Sequence, residues 1–260
     1  MKLVISDLQK AEIFVKCFQH MKTFVDSINI VFKMDQMYVQ CMDSAMVLIM
    51  EFSLPKVWFD SYNLTEDVTI GVNSGVLSKV LSIRESSQTV VWDTDKGDVL
   101  YVKFHTEDPQ SKVFDKEFEI PLIDLEQELF EIPPTDYPAE FTLPSNIFAN
   151  MIQQLKQFGE TLQIICTEEH IKMISDSPEF GKMNTHMPIE DLEEYAINEG
   201  ETVKNSFAIK YLSNVCLYQK IAKSMYIAVC SNFPMKIEYQ MENDAKLVFY
   251  LAPKINDDDL

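Results

Sequence analysis

The chain contains few of the features that most often reveal an enzyme or a membrane protein. Its 260 residues include only six glycines, and neither of the phosphate-binding patterns GxGxxG and GxxxxGK[ST] occurs. No run of about 18 apolar residues is present, so a membrane-spanning helix is not expected. The N-terminal sequence MKLVISDLQK has no apolar signal core, which predicts an intracellular chain.

The cysteines and histidines show no pattern typical of a disulfide framework or a metal site. There are five cysteines and four histidines. The cysteines are scattered through apolar runs without a CxxC pair, which predicts reduced cysteines in the core. The histidines have no metal-ligand spacing, so we predict neither a metal nor a cofactor.

Acidic residues dominate the composition but are unevenly distributed. The formal net charge is −19, with 41 acidic and 22 basic residues. Four stretches, residues 8–24, 73–83, 144–158 and 207–223, contain one carboxylate, Glu12. The same stretches contain eight lysines: Lys10, Lys16, Lys22, Lys79, Lys156, Lys210, Lys220 and Lys223. Each stretch has the apolar period of an amphipathic helix. Because carboxylates repel phosphates, their exclusion predicts helices that face a polyanion.

Most of the remaining chain predicts short strands of antiparallel sheets. Residues 235–241 alternate apolar with polar side chains, as in a half-buried strand. Further strand candidates with similar composition lie at 89–92, 99–104, 162–166, 225–230 and 247–251. Many short strands separated by polar turns favour large sheets.

The spacing of the predicted helices indicates an internal duplication. The helices of the first pair begin at residues 8 and 73, and those of the second pair at 144 and 207. Corresponding helices are therefore about 135 residues apart, which is the signature of a repeated unit. We predict domains over 1–120 and 139–260 and a connector over 121–138.

The predicted connector is acidic and rich in proline, as expected of an extended linker. It contains four prolines, five acidic residues and no basic residue. It also contains apolar residues, namely Leu125, Leu129, Phe130 and Ile132. These side chains either hold the connector against its own domains or line an exposed groove, and the sequence leaves both interpretations open.

Five segments, in order along the chain, resemble the eukaryotic-type sliding clamps of the proliferating cell nuclear antigen family. The C-terminal FYLAPKI, followed by an acidic tail, is similar to the signature that ends those proteins. The other segments are VQCMDS from Val39, IGVN from Ile70 with LSKVL, Ile132-Pro133 with Tyr137, and FAIKYL from Phe207. The register is nearly constant over the whole chain.

The resemblance implies an α+β DNA clamp fold, in which three identical chains form a closed ring around duplex DNA. Each chain would have two similar domains, with two inner helices and outer antiparallel sheets per domain. Head-to-tail contacts would join edge strands near residues 110–120 and 177–186. The expected location is the nucleus, or the site of viral DNA replication if the chain is a divergent viral member.

The resemblance also implies a processivity factor without catalytic activity. Such a clamp tethers DNA polymerase and other replication and repair proteins to the template, and an ATP-dependent clamp loader places it on DNA. No cofactor is implied. Glu168 occupies the position of the lysine that the family uses for ubiquitin attachment, so this regulation is not carried over.

All eight lysines are candidates for contact with DNA. Four of them align with basic positions of the family's inner helices: Lys16, Lys22, Lys79 and Lys210. Uncharged residues replace other basic positions of the family: Ser82, Asn150, Gln153, Gln157 and Leu217. Lys156, Lys220 and Lys223 offer partial compensation. We therefore expect weaker electrostatic attraction to DNA than in typical members.

The resemblance further implies a pocket for client peptides. Clients of the family insert a helical turn that carries one aliphatic and two aromatic side chains. The residues at the corresponding positions are Met42, Val47, Ile49, Phe130, Ile132, Pro234, Tyr250, Ala252 and Pro253. Phe130 is bulkier than the usual leucine and is expected to narrow the pocket.

Two other functions compete with this interpretation. A checkpoint-type clamp subunit, which works only in a heteromeric ring, would share the fold, but the intact LAPKI sequence favours a self-sufficient clamp. A metal-dependent nuclease could use Asp191, Glu193 and Glu194, or the acidic run 257–259. Both acidic runs have loop or tail context without the spaced, buried scaffold of a metal site, so solvated acids are expected.

Overall fold

The computed structural model describes residues 1–94, 97–107, 112–126 and 129–254. The first half of the chain contains, in order, β1 (Lys2–Ile5), α1 (Leu8–Met21), β2 (Ser27–Phe32), β3 (Gln36–Met42), β4 (Leu48–Pro55), a 3₁₀ turn (Lys56–Trp58), β5 (Ser61–Asn63), β6 (Val68–Asn73), α2 (Ser74–Leu81), β7 (Thr89–Asp93), β8 (Val99–His105) and β9 (Lys116–Pro121).

The second half repeats this order of elements. It contains β10 (Ala139–Pro144), α3 (Ser145–Leu155), β11 (Thr161–Cys166), β12 (His170–Ser177), β13 (Gly181–Pro188), a 3₁₀ turn (Ile189–Asp191), β14 (Glu194–Ile197), β15 (Val203–Ala208), α4 (Ile209–Val215), a 3₁₀ turn (Cys216–Tyr218), β16 (Ser224–Val229), β17 (Met235–Gln240), a 3₁₀ turn (Glu242–Asp244) and β18 (Lys246–Leu251). The shared order confirms the predicted duplication and the α+β class.

The chain divides into two compact units that exchange short segments. Unit 1 comprises Met1–Ser44, Met50–Phe130 and Met241–Lys246. Unit 2 comprises Ala45–Ile49, Glu131–Gln240 and the described chain from Leu247 onward. The continuous boundaries drawn from the sequence, 1–120 and 139–260 with a connector between them, stay a prediction.

Unit 1 contains a five-stranded sheet in the order β5-β1-β7-β8-β9 and the strand run β4-β3-β2-β6. Its aromatic core forms where α1 packs on the first sheet. Phe14 contacts both Phe18 and Trp92, with ring centroids 4.9 Å apart in each pair. These rings are at most 1% exposed. Such edge-on aromatic pairs stabilise a core by about 0.5–1.5 kcal/mol beyond the area they bury.

Unit 2 contains a four-stranded sheet in the order β13-β12-β11-β15 and the strand run β14-β10-β16-β17-β18. Helices α3 and α4 bury their apolar faces, including Phe148, Ile152 and Leu212. The buried Tyr239 hydroxyl donates to the carbonyl of Val215 (3.1 Å), which satisfies a carbonyl at the end of α4.

All four predicted helices are present, but each is shorter than the acid-poor stretch that predicted it. Helix α1 ends at Met21 because the Thr23 hydroxyl and amide both donate to the carbonyl of His20 (2.7 and 3.0 Å). The prediction of helix from residue 207 was wrong. Phe207 lies in β15, opposite Leu162 of β11, and is fully buried by the sheet.

Side chains of the preceding residues cap the two helices of unit 1. The carboxylate of Asp7 accepts from the amides of Gln9 and Lys10 (2.9 Å each). The Asn73 side chain accepts from the amide of Val76 (2.9 Å). Each cap satisfies backbone donors that the helix itself cannot pair, and such caps contribute about 1 kcal/mol.

The five cysteines are free. Four of them are buried, as predicted, and burial raises the pKa of the Cys41, Cys166 and Cys216 thiols to about 12. Cys230 differs because it lies only partly buried at the end of β16, where its thiol donates to the carbonyl of Ser231 (3.6 Å). Among the described elements, no helix has the length and apolar character needed to cross a bilayer.

Candidate nucleic-acid interface and partner-binding residues

Helices α1 and α2 pack side by side in unit 1. The Gln19 side chain donates to the Ser82 hydroxyl (3.2 Å), and the Ser78 hydroxyl donates to the carbonyl of Gln19 (3.1 Å). These polar contacts fix one helix against the other at their C-terminal ends. Lys22 and Lys79 are exposed there, Lys22 as the C-cap of α1 and Lys79 in the last turn of α2. A cation near a helix C-terminus is favoured by the helix dipole.

Lys10 has a partner within its own unit. Its ammonium donates to the carbonyl of Trp58 (3.1 Å) and lies over the indole ring, 5.7 Å from the centroid. The side chain is half-buried. Of the predicted DNA-facing lysines of α1, Lys10 is therefore held near the helix start, whereas Lys22 is exposed at the helix end.

Glu12, the one acid of the four stretches, is paired with two cations. Its carboxylate lies 2.8 Å from the Lys16 ammonium and 3.2 Å from the Arg84 guanidinium. The hydrogen bond from Lys16 is the main reason that the pKa of Glu12 is lowered. The Lys16 pair is partly exposed, and surface ion pairs of this kind contribute only about 0.2–1 kcal/mol to stability. Their clearer effect here is that no carboxylate stands alone on these helices.

Arg84 was not predicted as a functional residue from the sequence. It follows α2 and lies one residue beyond the acid-poor stretch 73–83, so it was not counted among the cations. Its side chain is 1% exposed and also donates to the carbonyl of Gln88 (2.7 Å). The ion pair of Arg84 could not be predicted from a local sequence pattern, because Glu12 lies 72 positions earlier in the chain.

Helix α3 of unit 2 exposes mainly amides, and each helix of unit 2 has one exposed lysine at its surface or C-cap. The exposed residues of α3 and of the turn after it are Asn146, Ile147, Asn150, Gln153, Gln154, Lys156 and Gln157. Lys156 is the C-cap of α3. Lys210 is exposed on α4, with its ammonium 4.7 Å from the centroid of the Tyr211 ring. None of the four helices carries an acid in its first turn.

Two lysines assigned to the helices from sequence lie outside them. Lys220 is in the turn that follows the 3₁₀ segment Cys216–Tyr218, and Lys223 directly precedes β16. The carbonyl of Lys223 accepts from the amide of Ser145 (2.9 Å), so this backbone is fixed at the start of α3. The helix ended earlier than predicted because the last turn tightens to 3₁₀ after Val215.

The predicted connector is attached to unit 1 through its backbone. The Asn29 side chain donates to the carbonyl of Leu125 (3.1 Å). Near the start of the connector, the amide of Ile123 donates to the carbonyl of Gly71 (2.9 Å). A Cβ on Gly71 would lie 2.1 Å from the carbonyl oxygen of Ile123, so this approach requires glycine.

Gln40 holds the connector at a third point, Phe130. Its side chain accepts from the Phe130 amide (2.6 Å) and donates to the Phe130 carbonyl (2.9 Å). Gln40 is 2% exposed and also donates to Glu51 (3.4 Å), which accepts from the Tyr38 hydroxyl. The Phe130 side chain remains 40% exposed. The connector is therefore held against unit 1 through its backbone, as the first interpretation expects, whereas the exposed groove of the second stays a prediction.

We expect Gln40→Glu to release Phe130 and to weaken client-peptide binding about tenfold. A carboxylate can still accept from the Phe130 amide, but it cannot donate to the carbonyl, and it adds a second negative charge beside Glu51. Hydrogen–deuterium exchange of the Phe130 amide checks the first effect, and peptide titration checks the second. Asn29→Ala is the matched control, because it removes a different anchor and should leave Phe130 protected. Unchanged exchange at Phe130 in Gln40→Glu would show that Gln40 does not hold it.

None of the residues predicted to bind client peptides is buried. Phe130 is exposed, and the other eight are half-buried: Met42, Val47, Ile49, Ile132, Pro234, Tyr250, Ala252 and Pro253. In unit 2 the amide of Ala252 donates to the carbonyl of Val47 (2.8 Å), and the Tyr137 hydroxyl donates to the carbonyl of Pro234 (3.1 Å). Val47 and Ile49 are therefore not core residues, although their joint role in a pocket stays a prediction.

The acidic run proposed as nuclease ligands has no metal-binding arrangement. Asp191, Glu193 and Glu194 are exposed, and Glu193 accepts from the Ser224 hydroxyl (2.9 Å). Within the described ranges, no group of three or more His, Cys, Asp or Glu side chains could hold a metal ion. The second run, 257–259, lies outside the described residues.

Family models match nearly the whole chain. The N-terminal domain model of proliferating cell nuclear antigen matches residues 3–129, and the C-terminal domain model matches residues 131–254. The chain belongs to the proliferating cell nuclear antigen family. The family consists of DNA sliding clamps without catalytic activity, which act in DNA replication. The family membership and clamp fold predicted from sequence are confirmed.

Relatives in the family are similar over most of their length. Proliferating cell nuclear antigen of Chaetomium thermophilum is 28% identical, with 97% of this chain and 98% of the relative covered. Proliferating cell nuclear antigen 2 of Drosophila melanogaster is 27% identical, with 85% and 86% covered. A crystal structure of the family's member from Thermococcus kodakaraensis superposes with a TM-score of 0.88 at 18% identity, covering 97% of this chain and 99% of that one.

Proposed function

We propose that the chain forms a homotrimeric ring that encircles duplex DNA and tethers DNA polymerase and other replication and repair proteins to it. The observation that carries this proposal is the exclusion of carboxylates from the surfaces of α1 to α4 in a chain of net charge −19. The single exception, Glu12, is neutralised by Lys16 and Arg84. A ring holds DNA by topology, so weak contacts without sequence preference are sufficient.

Two sheet edges offer surfaces for head-to-tail closure of the ring. Strand β9 is one edge of the five-stranded sheet, and β13 is one edge of the four-stranded sheet. They overlap the segments 110–120 and 177–186 predicted from sequence. Each edge has an exposed aromatic residue beside it, Phe114 (80% exposed) and Phe180 (61%). Unpaired strand edges with apolar neighbours favour pairing with another chain, and two different surfaces give a closed ring.

The duplication supports the same pairing. By order in the repeat, β9 corresponds to β18 and β13 corresponds to β4. Within unit 2, the residue after β18 already bonds to the residue before β4, through the Ala252 amide and the Val47 carbonyl. If β13 of a neighbouring chain paired with β9, the contact between the two chains would correspond to the contact between β4 and β18 within one chain.

The proposed clients carry a peptide with one aliphatic and two aromatic side chains. These side chains bind the nine residues predicted above to form the client-peptide pocket. An ATP-dependent clamp loader opens and closes the ring. The ring acts in the nucleus, or at the site of viral DNA replication for a viral chain. No observation favours a checkpoint-type subunit. Measurement of the mass in solution tests both the homotrimer and this heteromeric alternative.

We expect light scattering to give a solution mass three times that of the 30.1 kDa chain. A closed ring leaves neither β9 nor β13 unpaired, and the family resemblance implies a ring of three chains. Measurement over a range of concentrations separates a closed ring from open assemblies, whose mass rises without limit. A stable monomer at every concentration would contradict the homotrimer and would favour the heteromeric alternative.

A further inference from the structure

Glu12 is the one acid in the acid-poor stretches, and its surroundings do not require it to be an acid. Its side chain is 45% exposed, so it fills no space in the core. Arg84, its buried partner, also donates to the carbonyls of Leu8 (3.4 Å), Ser86 (3.3 Å) and Gln88 (2.7 Å). The two carboxylate oxygens of Glu12 each bind one cation, and a neutral amide at position 12 would keep one oxygen that could accept from one of them.

The carboxylate of Glu12 changes what its neighbours present to solvent. Lys16 is 29% exposed, and its ammonium is bound at 2.8 Å, one helical turn from Glu12. The three side chains of Glu12, Lys16 and Arg84 together carry one net positive charge instead of two. Lys10 is also engaged, at the carbonyl of Trp58. Lys22 and Lys79 are thus the exposed cations of α1 and α2 within the described residues.

We propose that Glu12 weakens the binding of α1 and α2 to DNA, because it holds Lys16 in an ion pair that competes with the phosphate backbone. This inference rests on the proposed function, in which these helices face duplex DNA. An ammonium that binds a phosphate releases a counterion and steepens the dependence of binding on salt. Glu12 removes one such ammonium–phosphate pair per chain, which keeps the ring loosely bound while its topology retains the DNA.

The test measures association with a short linear duplex by fluorescence anisotropy, between about 50 and 200 mM salt. We expect Glu12→Gln to steepen the slope of log K against log salt by about 0.9 for each additional ammonium–phosphate pair. For one such pair, the ratio of affinities at the two salt concentrations rises about 3.5-fold. Glu12→Ala is a second variant that should give the same steepening without a new polar group.

Two control variants identify the cause of any change. Glu12→Asp keeps the charge and should retain the wild-type slope more closely than Glu12→Gln. Glu238→Gln removes an acid that is likewise paired with a lysine, Lys236 at 2.8 Å, but lies on β17, so it should leave the slope unchanged. Thermal unfolding and solution mass confirm that each variant folds and assembles as the wild type does.

Lys79→Gln distinguishes failure of this inference from failure of the proposed function. Lys79 is exposed on α2, so its loss should make the slope shallower by about 0.9 for each ammonium–phosphate pair that is lost, if the helices face DNA. A shallower slope for Lys79→Gln together with unchanged slopes for Glu12→Gln and Glu12→Ala overturns the role of Glu12 alone. Unchanged slopes in all three variants overturn the DNA-facing assignment of these helices, and the inference with it.

Discussion

Phe114→Asp is expected to convert the proposed trimer into monomers of 30.1 kDa, as measured by light scattering. Phe114 is the most exposed large apolar side chain among the described residues, at 80%. Its carbonyl accepts from the buried Gln88 side chain (2.9 Å), so the residue is presented beside β9 on a fixed backbone. Burying a phenylalanine stabilises an interface by about 1.5–3 kcal/mol, and a buried carboxylate without a partner costs several more. The effect applies at each of the three junctions of the proposed ring.

Val57→Asp is the matched control for this prediction. Val57 is 71% exposed in the 3₁₀ turn Lys56–Trp58, away from β9 and β13 in sequence and in the order of the sheets. The same substitution there should leave the mass of the trimer unchanged. A trimer of wild-type stability in Phe114→Asp would remove Phe114 from the interface and weaken the assignment of β9 as a closing edge.

Tyr250→Ala and Ile132→Ala are each expected to weaken client-peptide binding by about 1–3 kcal/mol, which is roughly 5- to 150-fold in Kd. Both side chains are half-buried in unit 2, so they combine fixed position with accessible apolar surface. Truncation removes apolar area that a peptide would cover, while the sheet edges are not touched. Titration with a labelled peptide that carries one aliphatic and two aromatic residues gives the affinities, and light scattering should show an intact trimer.

Met34→Ala provides the comparison for the two pocket variants. Met34 is 51% exposed between β2 and β3 and is not among the residues predicted to bind peptides. Its loss should leave peptide affinity unchanged, although it removes a similar apolar area. If Tyr250→Ala and Ile132→Ala both retain wild-type affinity, the clients bind elsewhere on the chain.

Periodic patterns predicted the elements of the fold because burial of one face imposes them. The apolar stripe of α3 is buried at Phe148, Ile152 and Leu155, as a period of 3.6 residues requires. The alternation in β17 places Met235, Ile237 and Tyr239 inside. The apolar residues Val76 and Ile147 are more than 40% exposed, so part of each stripe faces solvent instead of the core.

Contacts between distant parts of the chain could not be predicted from local patterns. Arg84 meets Glu12 across 72 positions, and Gln40 meets Phe130 across 90. Neither pair has a sequence period, because both depend on how the chain returns to the same place in unit 1. The end of α4 was also missed, since the acid-poor stretch continues to Lys223 although regular helix stops at Val215.

The two halves of the chain share an order of elements but differ in what their helices expose. Each unit exposes two lysines at its helices, Lys22 and Lys79 in unit 1 and Lys156 and Lys210 in unit 2, but α3 of unit 2 also exposes a row of amides and Ile147. In the proposed ring, the backbone elements would repeat six times around the axis, but the electrostatic potential would repeat only three times. Any position of the duplex away from the axis would therefore have three equivalents in the ring, and not six.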